Sequence, residues 1–302
     1  MKRKNKRNPI PQIRSSWNWA LIFLAILLPQ FQNPRFVKNL ESTVEIAPQI
    51  HSPANIFAVR LKGTKPNLSL CTQGACYRLS THWTLVPAPM NYIGNVGLLF
   101  TEDSKYWSFG EYEVSGIFFD RSQKNLTQLR LPAQVIKEVA QTDPGIEAKR
   151  AQYRELYNLN SNRPWSTHWR MPIVSVVTSN FGSPRIPPNG APYSHTGLDL
   201  RAATGTEVRA CSDGIVLDRS WDPMSGNSVT LDHGHGLLSR YLHLSAFKTN
   251  IGEEVKAGEL IGISGTTGRS EAPHLHWEMR LYGKPIDPLA TMHLMEHLAD
   301  LE

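Results

Sequence analysis

APHLHWEMR, residues 272–280, decides how this chain is read. Two histidines, His274 and His276, stand one residue apart, followed by Trp277, Met279 and Leu281, whose aromatic and large apolar side chains suit a pleated surface. In a strand, residues i and i+2 point to the same face, so His274 and His276 are expected to project into one space. Pro273 fits immediately before such a strand, because it has no N–H to give to a ladder. Two imidazoles aimed at one point suggest a metal site or acid–base chemistry; the alternative is a pair of partly exposed surface histidines.

A second stretch, SHTGLDL at 194–200, places His195 four residues before Asp199 with Gly197 between them. The Gly and the preceding PRIPPNGAPY argue for a loop feeding a strand rather than a helix. Three protein ligands with one open position is the arrangement of a catalytic zinc, and His195, Asp199 and one of the HLH pair would supply it. A third stretch, SRYLHLS, adds His243 in a strand-like run.

Together these stretches resemble the lysostaphin-type (LytM-like) zinc metallopeptidases that cut peptidoglycan cross-links. The resemblance runs from about Met171 to Leu289 and includes SNFGSPR, HTGLDL, GTEVRACSDGIV, GNSVTLDHGHGLLSRYLHLS and GTTGRSEAPHLHWE, in that order. It implies His195, Asp199 and His276 as ligands of one zinc per chain, and His274 and His243 as non-ligand catalytic histidines. Of these, His274 is the expected base and His243 the expected oxyanion stabiliser, with the reverse open. Glu271 departs from the family's small residues before HLH and is a candidate for tuning substrate choice. The implied activity is a metalloendopeptidase acting on peptidoglycan, at the D-alanyl–meso-diaminopimelate bond of a Gram-negative wall. A glycyl-glycine endopeptidase and a non-catalytic wall-binding activator of an amidase are the alternatives; the complete histidine and aspartate set favours an enzyme. A phosphohistidine carrier sharing the β fold is disfavoured by the export segment.

The first fourteen residues, MKRKNKRNPIPQIR, hold six basic residues and no acidic one. Removing those six from the 32 basic residues leaves 26, equal to the 26 acidic ones, so the pI near 9.2 reflects this tail and carries no implication of nucleic acid. The tail is the expected cytoplasmic flank of the apolar run WNWALIFLAILL, residues 17–28. That run is short of the roughly 20 residues of a comfortable transmembrane helix and suits a signal peptide or short signal anchor. No A-x-A site follows, so cleavage and membrane retention both stay open. Export to the periplasm or cell surface is expected.

The expected organisation is a basic tail and signal segment over 1–30, a linker over 31–52, and a β-sandwich module over 53–136. A linker with a helix over 137–170, a peptidase module over 171–290 and a tail over 291–302 follow. NIFAVRL, NLSLC, CYRLS, VGLLF and GEYEVSGIFF supply the short strands of the first module. CTQGAC, Cys71 to Cys76, suggests a disulfide pinning a hairpin in an exported protein. Cys211 reads as a small buried residue. TDPGIEAKRAQYRELYNL at 142–159 is the expected helix, with Asp143 as N-cap and Pro144 at its first position. The resemblance implies an immunoglobulin-like first module and a mainly β fold, with an antiparallel groove-bearing peptidase domain of the duplicated hybrid motif type. The expected partner is peptidoglycan, with any regulatory protein unnamed. DHGHG, with His233 and His235, reads as a hairpin turn rather than a rival ligand pair. His293 and His297 fall at helical spacing in the tail, and His51, His82 and His168 have no constellation.

Overall fold

The computed structural model describes residues 44–47, 56–62, 69–72, 75–79, 82–87, 93–102, 105–115, 127–128, 144–157, 161–186 and 192–301. The basic tail, the apolar run 17–28 and Asp143 lie outside them. Among the described residues no helix is long and apolar enough to cross a membrane.

The chain is mainly β. Strands β1 (Val44–Ala47), β2 (Ile56–Leu61), β3 (Ser69–Thr72), β4 (Ala75–Arg78), β5 (Thr84–Pro87), β6 (Ile93–Glu102) and β7 (Lys105–Ser115) form two antiparallel sheets, ordered β1–β2–β5 and β4–β3–β6–β7. β1 lies within residues 31–52, expected as linker, and pairs with β2 from Val44 opposite Leu61 to Ala47 opposite Ala58. Cys71 and Cys76 stand opposite each other on β3 and β4 and are joined by a disulfide. The short strand β8 (Thr127–Gln128) leaves both sheets and joins the second module.

Helix α1 (Pro144–Tyr157) starts at the expected proline and lays Tyr153 against the second module, where its hydroxyl donates to Asp222 Oδ2 at 3.3 Å. The second module then runs as strands β9 (Val177–Ser179), β10 (Pro184–Ile186), β11 (Tyr193–Ser194), β12 (Leu198–Arg201), β13 (Glu207–Arg209), β14 (Gly214–Asp222) and β15 (Gly226–Asp232). β16 (Leu237–Phe247), β17 (Glu254–Val255), β18 (Leu260–Ser264), β19 (His274–Leu281) and β20 (Lys284–Ile286) complete it. The main path of the large sheet is β17–β14–β15–β16–β19–β12–β9, antiparallel throughout. One face packs over a buried core of Leu198, Leu200, Tyr241, Leu275, Trp277 and Met279. β19 thus alternates as its sequence demands, with Leu275, Trp277 and Met279 in the core and the even-numbered residues 274, 276 and 278 on the opposite face.

The C-terminal residues, expected as a tail from 291, belong to helix α2 (Pro288–Ala299), which begins three residues earlier. Asp287 caps it by accepting from the Leu289 and Ala290 amides, and Pro288 occupies the first turn. Its inner stripe, Met292, Leu294, Met295 and Leu298, joins a hydrophobic cluster that also takes in Ile56, Ala58, Trp83 and Leu85 of the first module. The two modules therefore share apolar core across α2.

Candidate functional site

β12 and β19 lie side by side with Asp199 directly opposite His276 and Arg201 opposite His274. That register alone puts the Asp199 carboxylate and the His276 ring within reach, with Asp199 Oδ1 2.8 Å from His276 Nδ1. His195 enters from the loop before β12. Its amide donates to the Ser183 carbonyl and its own carbonyl accepts from Gly182, so the loop is pinned where the ring meets the sheet. His195 Nε2 then lies 3.1 Å from Asp199 Oδ1 and 2.9 Å from His276 Nδ1. Gly197 makes the approach feasible, because a Cβ there would stand 2.6 Å from the Trp277 carbonyl and 2.9 Å from His276 Nε2.

The hydrogen bonds around these rings fix their tautomers. His195 Nδ1–H donates to the Asn180 carbonyl at 2.9 Å, leaving Nε2 with its lone pair inward. His276 Nε2–H donates to Glu278 Oε1 at 3.2 Å, leaving Nδ1 with its lone pair inward. With those tautomers, two nitrogen lone pairs and a carboxylate oxygen converge on one point, an arrangement that a shared proton or a metal cation would balance. Two imidazoles and one carboxylate, all buried, are a donor set suited to zinc or a related divalent metal, and His195, Asp199 and His276 are the group among the described residues that could hold an ion.

Glu278 and Arg185 complete the surroundings, and both were missed by sequence reasoning. Glu278 is buried and also accepts from Thr196 Oγ1 at 2.7 Å, Arg240 at 3.0 Å and Arg280 at 3.2 Å. Burial alone would raise its carboxyl, but the Arg280 and Arg240 charges and His276 hold it well below the usual carboxylate range. It is therefore an anion that orients the His276 ring and strengthens Nδ1 as a donor. The period-2 rule that paired His274 with His276 reaches residue 278 at the next step, so the signal was present. Arg185 on β10 donates to Asp199 Oδ2 and to Ser179 Oγ, which orients the carboxylate so that Oδ1 faces the two rings. No local pattern marks that arginine.

His243 and His274 flank the cluster. Their ring centroids are 4.8 Å apart, and His243 lies 5.9 Å from His276. His274 Nδ1–H donates to the Ala272 carbonyl and His243 Nδ1–H to the Thr267 carbonyl, each at 2.8 Å, so both present Nε2 as an acceptor. Burial lowers both pKa values, that of His243 well below its ordinary range with His274 adding to the effect. His274 Nε2 stands 3.6 Å from Asp199 Oδ1, and its side chain keeps 18% exposure.

The other expected features fall outside this cluster. His233 is buried in the β15–β16 hairpin, donating through Nδ1 to the Asp213 carbonyl and accepting from Ser239 at Nε2, both at 2.7 Å. His235 packs edge-on against Trp165, 5.2 Å between centroids. Cys211 is buried, and its thiol is pushed up to about 11 by that burial. Glu271 is exposed on the rim of the groove that holds the cluster.

Residues 193–288 match the model of peptidase family M23. Over 119 residues, 39% of this chain and 27% of the relative, the sequence is 41% identical to DD-carboxypeptidase/endopeptidase Mpg of Neisseria meningitidis. Over 140 residues, 45% of this chain and 32% of the relative, it is 36% identical to peptidoglycan DD-endopeptidase ShyA of Vibrio cholerae. The chain thus spans about a third or less of the length of these relatives. A Pseudomonas aeruginosa crystal structure assigned to peptidase M23 shares the fold, with a TM-score of 0.55 at 22% identity, over 78% of this chain and 92% of that one.

Proposed function

We propose, for a chain that carries a peptidase family M23 domain over residues 193–288, that it is a zinc-dependent endopeptidase of peptidoglycan cross-links, acting at the D-alanyl–meso-diaminopimelate bond. The observation that carries this reading is the convergence of His195 Nε2, Asp199 Oδ1 and His276 Nδ1, with both ring N–H groups turned away to acceptors. One zinc held by these three atoms would supply the Lewis acidity that peptide hydrolysis needs at neutral pH.

The chain's own groups do the rest. His274 is neutral, faces the groove and offers Nε2, so it accepts a proton from the attacking water and returns it to the leaving amine. The Asp199 carboxylate 3.6 Å away favours the imidazolium formed in between. His243, with Nδ1–H committed to Thr267, also offers a lone pair at Nε2. It orients the water in that state, and becomes an oxyanion donor only on gaining a proton of its own. Glu278 and Arg185 hold the two sides of the donor set in register.

Three further readings belong with this one. The basic tail and residues 17–28 direct the chain out of the cytoplasm, to the periplasm or the outer face of the inner membrane. Residues 53–136 form an immunoglobulin-like sandwich, a reading supported by the two antiparallel sheets. Zinc binds one per chain.

The test is digestion of purified sacculi, first with zinc, then after chelation, then after zinc repletion, reading muropeptides by mass. Cross-linked dimers are expected to fall and monomers to rise only when zinc is present. His276→Ala is expected to lose both zinc and activity; full zinc occupancy in that variant would overturn the ligand assignment.

A further inference from the structure

The groove around the cluster has a volume of about 720 Å³, and five arginines line it: Arg185, Arg201, Arg240, Arg269 and Arg280. Three of them are spent. Arg185 is committed to Asp199, and Arg240 and Arg280 to Glu278. Among the described residues, Arg201 and Arg269 have no carboxylate partner. Arg201 is exposed, opposite His274. Arg269 is the more constrained. Its guanidinium donates to the Tyr193 hydroxyl at 2.7 Å and lies over that ring, 5.1 Å from the centroid. Its own amide is anchored on the Met224 carbonyl. Tyr193 in turn stands directly opposite Arg185 in the β10–β11 pair. A half-buried guanidinium is therefore held in place beside the metal cluster with most of its donors unspent. Burial lowers its pKa, with Tyr193 opposing the shift and the neighbouring Arg185 adding to it.

We infer that Arg269, positioned by Tyr193, reads a free carboxylate on the substrate residue that supplies the leaving amine. A guanidinium fork matches a carboxylate in two parallel hydrogen bonds, and a cation in a partly desolvated groove gains most from an anion brought with the substrate. The inference rests on the peptidase reading of the site and deepens it.

Two sources share this chemistry. In a D-alanyl–meso-diaminopimelate cross-link, the carbon bearing the leaving nitrogen also bears a free carboxylate. In a stem peptide ending in D-alanyl-D-alanine, the leaving residue bears its terminal carboxylate on the same carbon. One arginine would therefore admit both a cross-link and a peptide end, and would disfavour a bond inside a glycine bridge, where the corresponding carboxyl is an amide.

The experiment uses the full zinc-loaded chain and four substrates: the cross-linked dimer, the same dimer with that carboxylate amidated, the D-alanyl-D-alanine stem peptide, and its C-terminal amide. The kcat/KM ratio of acid to amide is expected to be at least tenfold in the wild-type chain. It is expected to collapse to within twofold in Arg269→Gln and to survive in part in Arg269→Lys. With that ratio in place, cleavage of the dimer alone would assign the carboxylate to the branch, and of the stem peptide alone to the chain end; both support the inference. A ratio near one in the wild type, or a ratio that Arg269→Gln leaves intact while lowering both rates, would overturn it. A wild-type chain that cuts none of the four would sink the peptidase reading instead. The subsite would then be decided by titrating a diaminopimelate-ending tripeptide and its amide onto both proteins. Equal affinity of acid and amide for the wild type would overturn the inference there too.

Discussion

At the scale of single residues, the site is a set of donors whose hydrogen atoms all point outward. Glu278 controls one of them. In Glu278→Gln the charge that polarises His276 is lost, and zinc affinity is expected to fall ten- to a hundredfold, read by competition with a chromophoric chelator. Unchanged affinity would show that His276 needs no anionic partner. His233 tests burial at a position remote from the donor set. Its ring is buried and its pKa is pushed down to about 4 by desolvation. Between that value and 6.5 the unfolded chain binds a proton that the native chain refuses, so stability rises with pH across the window and is lost as pH falls. His233 should contribute about 2 kcal/mol of loss between pH 7 and pH 5, since each tenfold difference in proton affinity is worth about 1.4 kcal/mol. Urea midpoints at both pH values should therefore converge more closely in His233→Asn, and an equal drop in both proteins would refute the assignment. His195, Asp199, His274 and His276 were legible as residues because strand alternation and motif spacing are local properties. Arg185 was not, since what it touches lies fourteen residues away across two strands.

At the scale of elements, β16 shows where alternation stops being a guide. Leu242 is the direct partner of His276, so strict alternation would turn His243 to the opposite face. The left-handed backbone at His243, with φ 63°, breaks that rule beside a register shift between Leu244 and Ala246. Its amide leaves the ladder for the Ser225 carbonyl, and the ring reaches the groove. A non-glycine residue held there stores strain that the surrounding contacts must offset, which no reading of YLHLS reveals. Helix α1 acts on the site through a chain of contacts. Tyr157 lies under Arg280, 4.5 Å from guanidinium carbon to ring centroid, and under Arg240 at 5.4 Å, and these two arginines hold Glu278. Tyr157→Ala is expected to cost about 2 kcal/mol, from lost packing and two cation–π contacts, and to weaken zinc binding as well. A variant with native metal affinity would show that the helix stabilises the fold without steadying the site. The helix itself was legible from Pro144 and its residue spacing; what its tyrosines cover depends on tertiary contact.

At the scale of the whole molecule, the boundary between modules is less sharp than composition suggests. Ile56, Ala58, Trp83 and Leu85 share a core with Met292, Leu294, Met295 and Leu298, and β8 pairs in parallel with β10, Thr127 opposite Arg185. Leu298→Ala, near the end of the chain, should therefore destabilise by about 2–4 kcal/mol and loosen both modules in one transition. Two separate denaturation steps, with only one shifted, would contradict a shared core. The expected organisation placed the strands in two groups but assigned 31–52 to linker and 291–302 to tail. Short apolar runs such as VEIA and HLMEHL carry too little periodicity to reveal a distant partner. The pairing of Asp199 with His276 across β12 and β19 has a last consequence. A slip of one residue would face Leu200 or Leu275 into the groove and leave no partial site behind. Metal uptake is therefore a quality-control readout: the fraction of chains that take up an ion counts those whose central sheet closed in its native alignment.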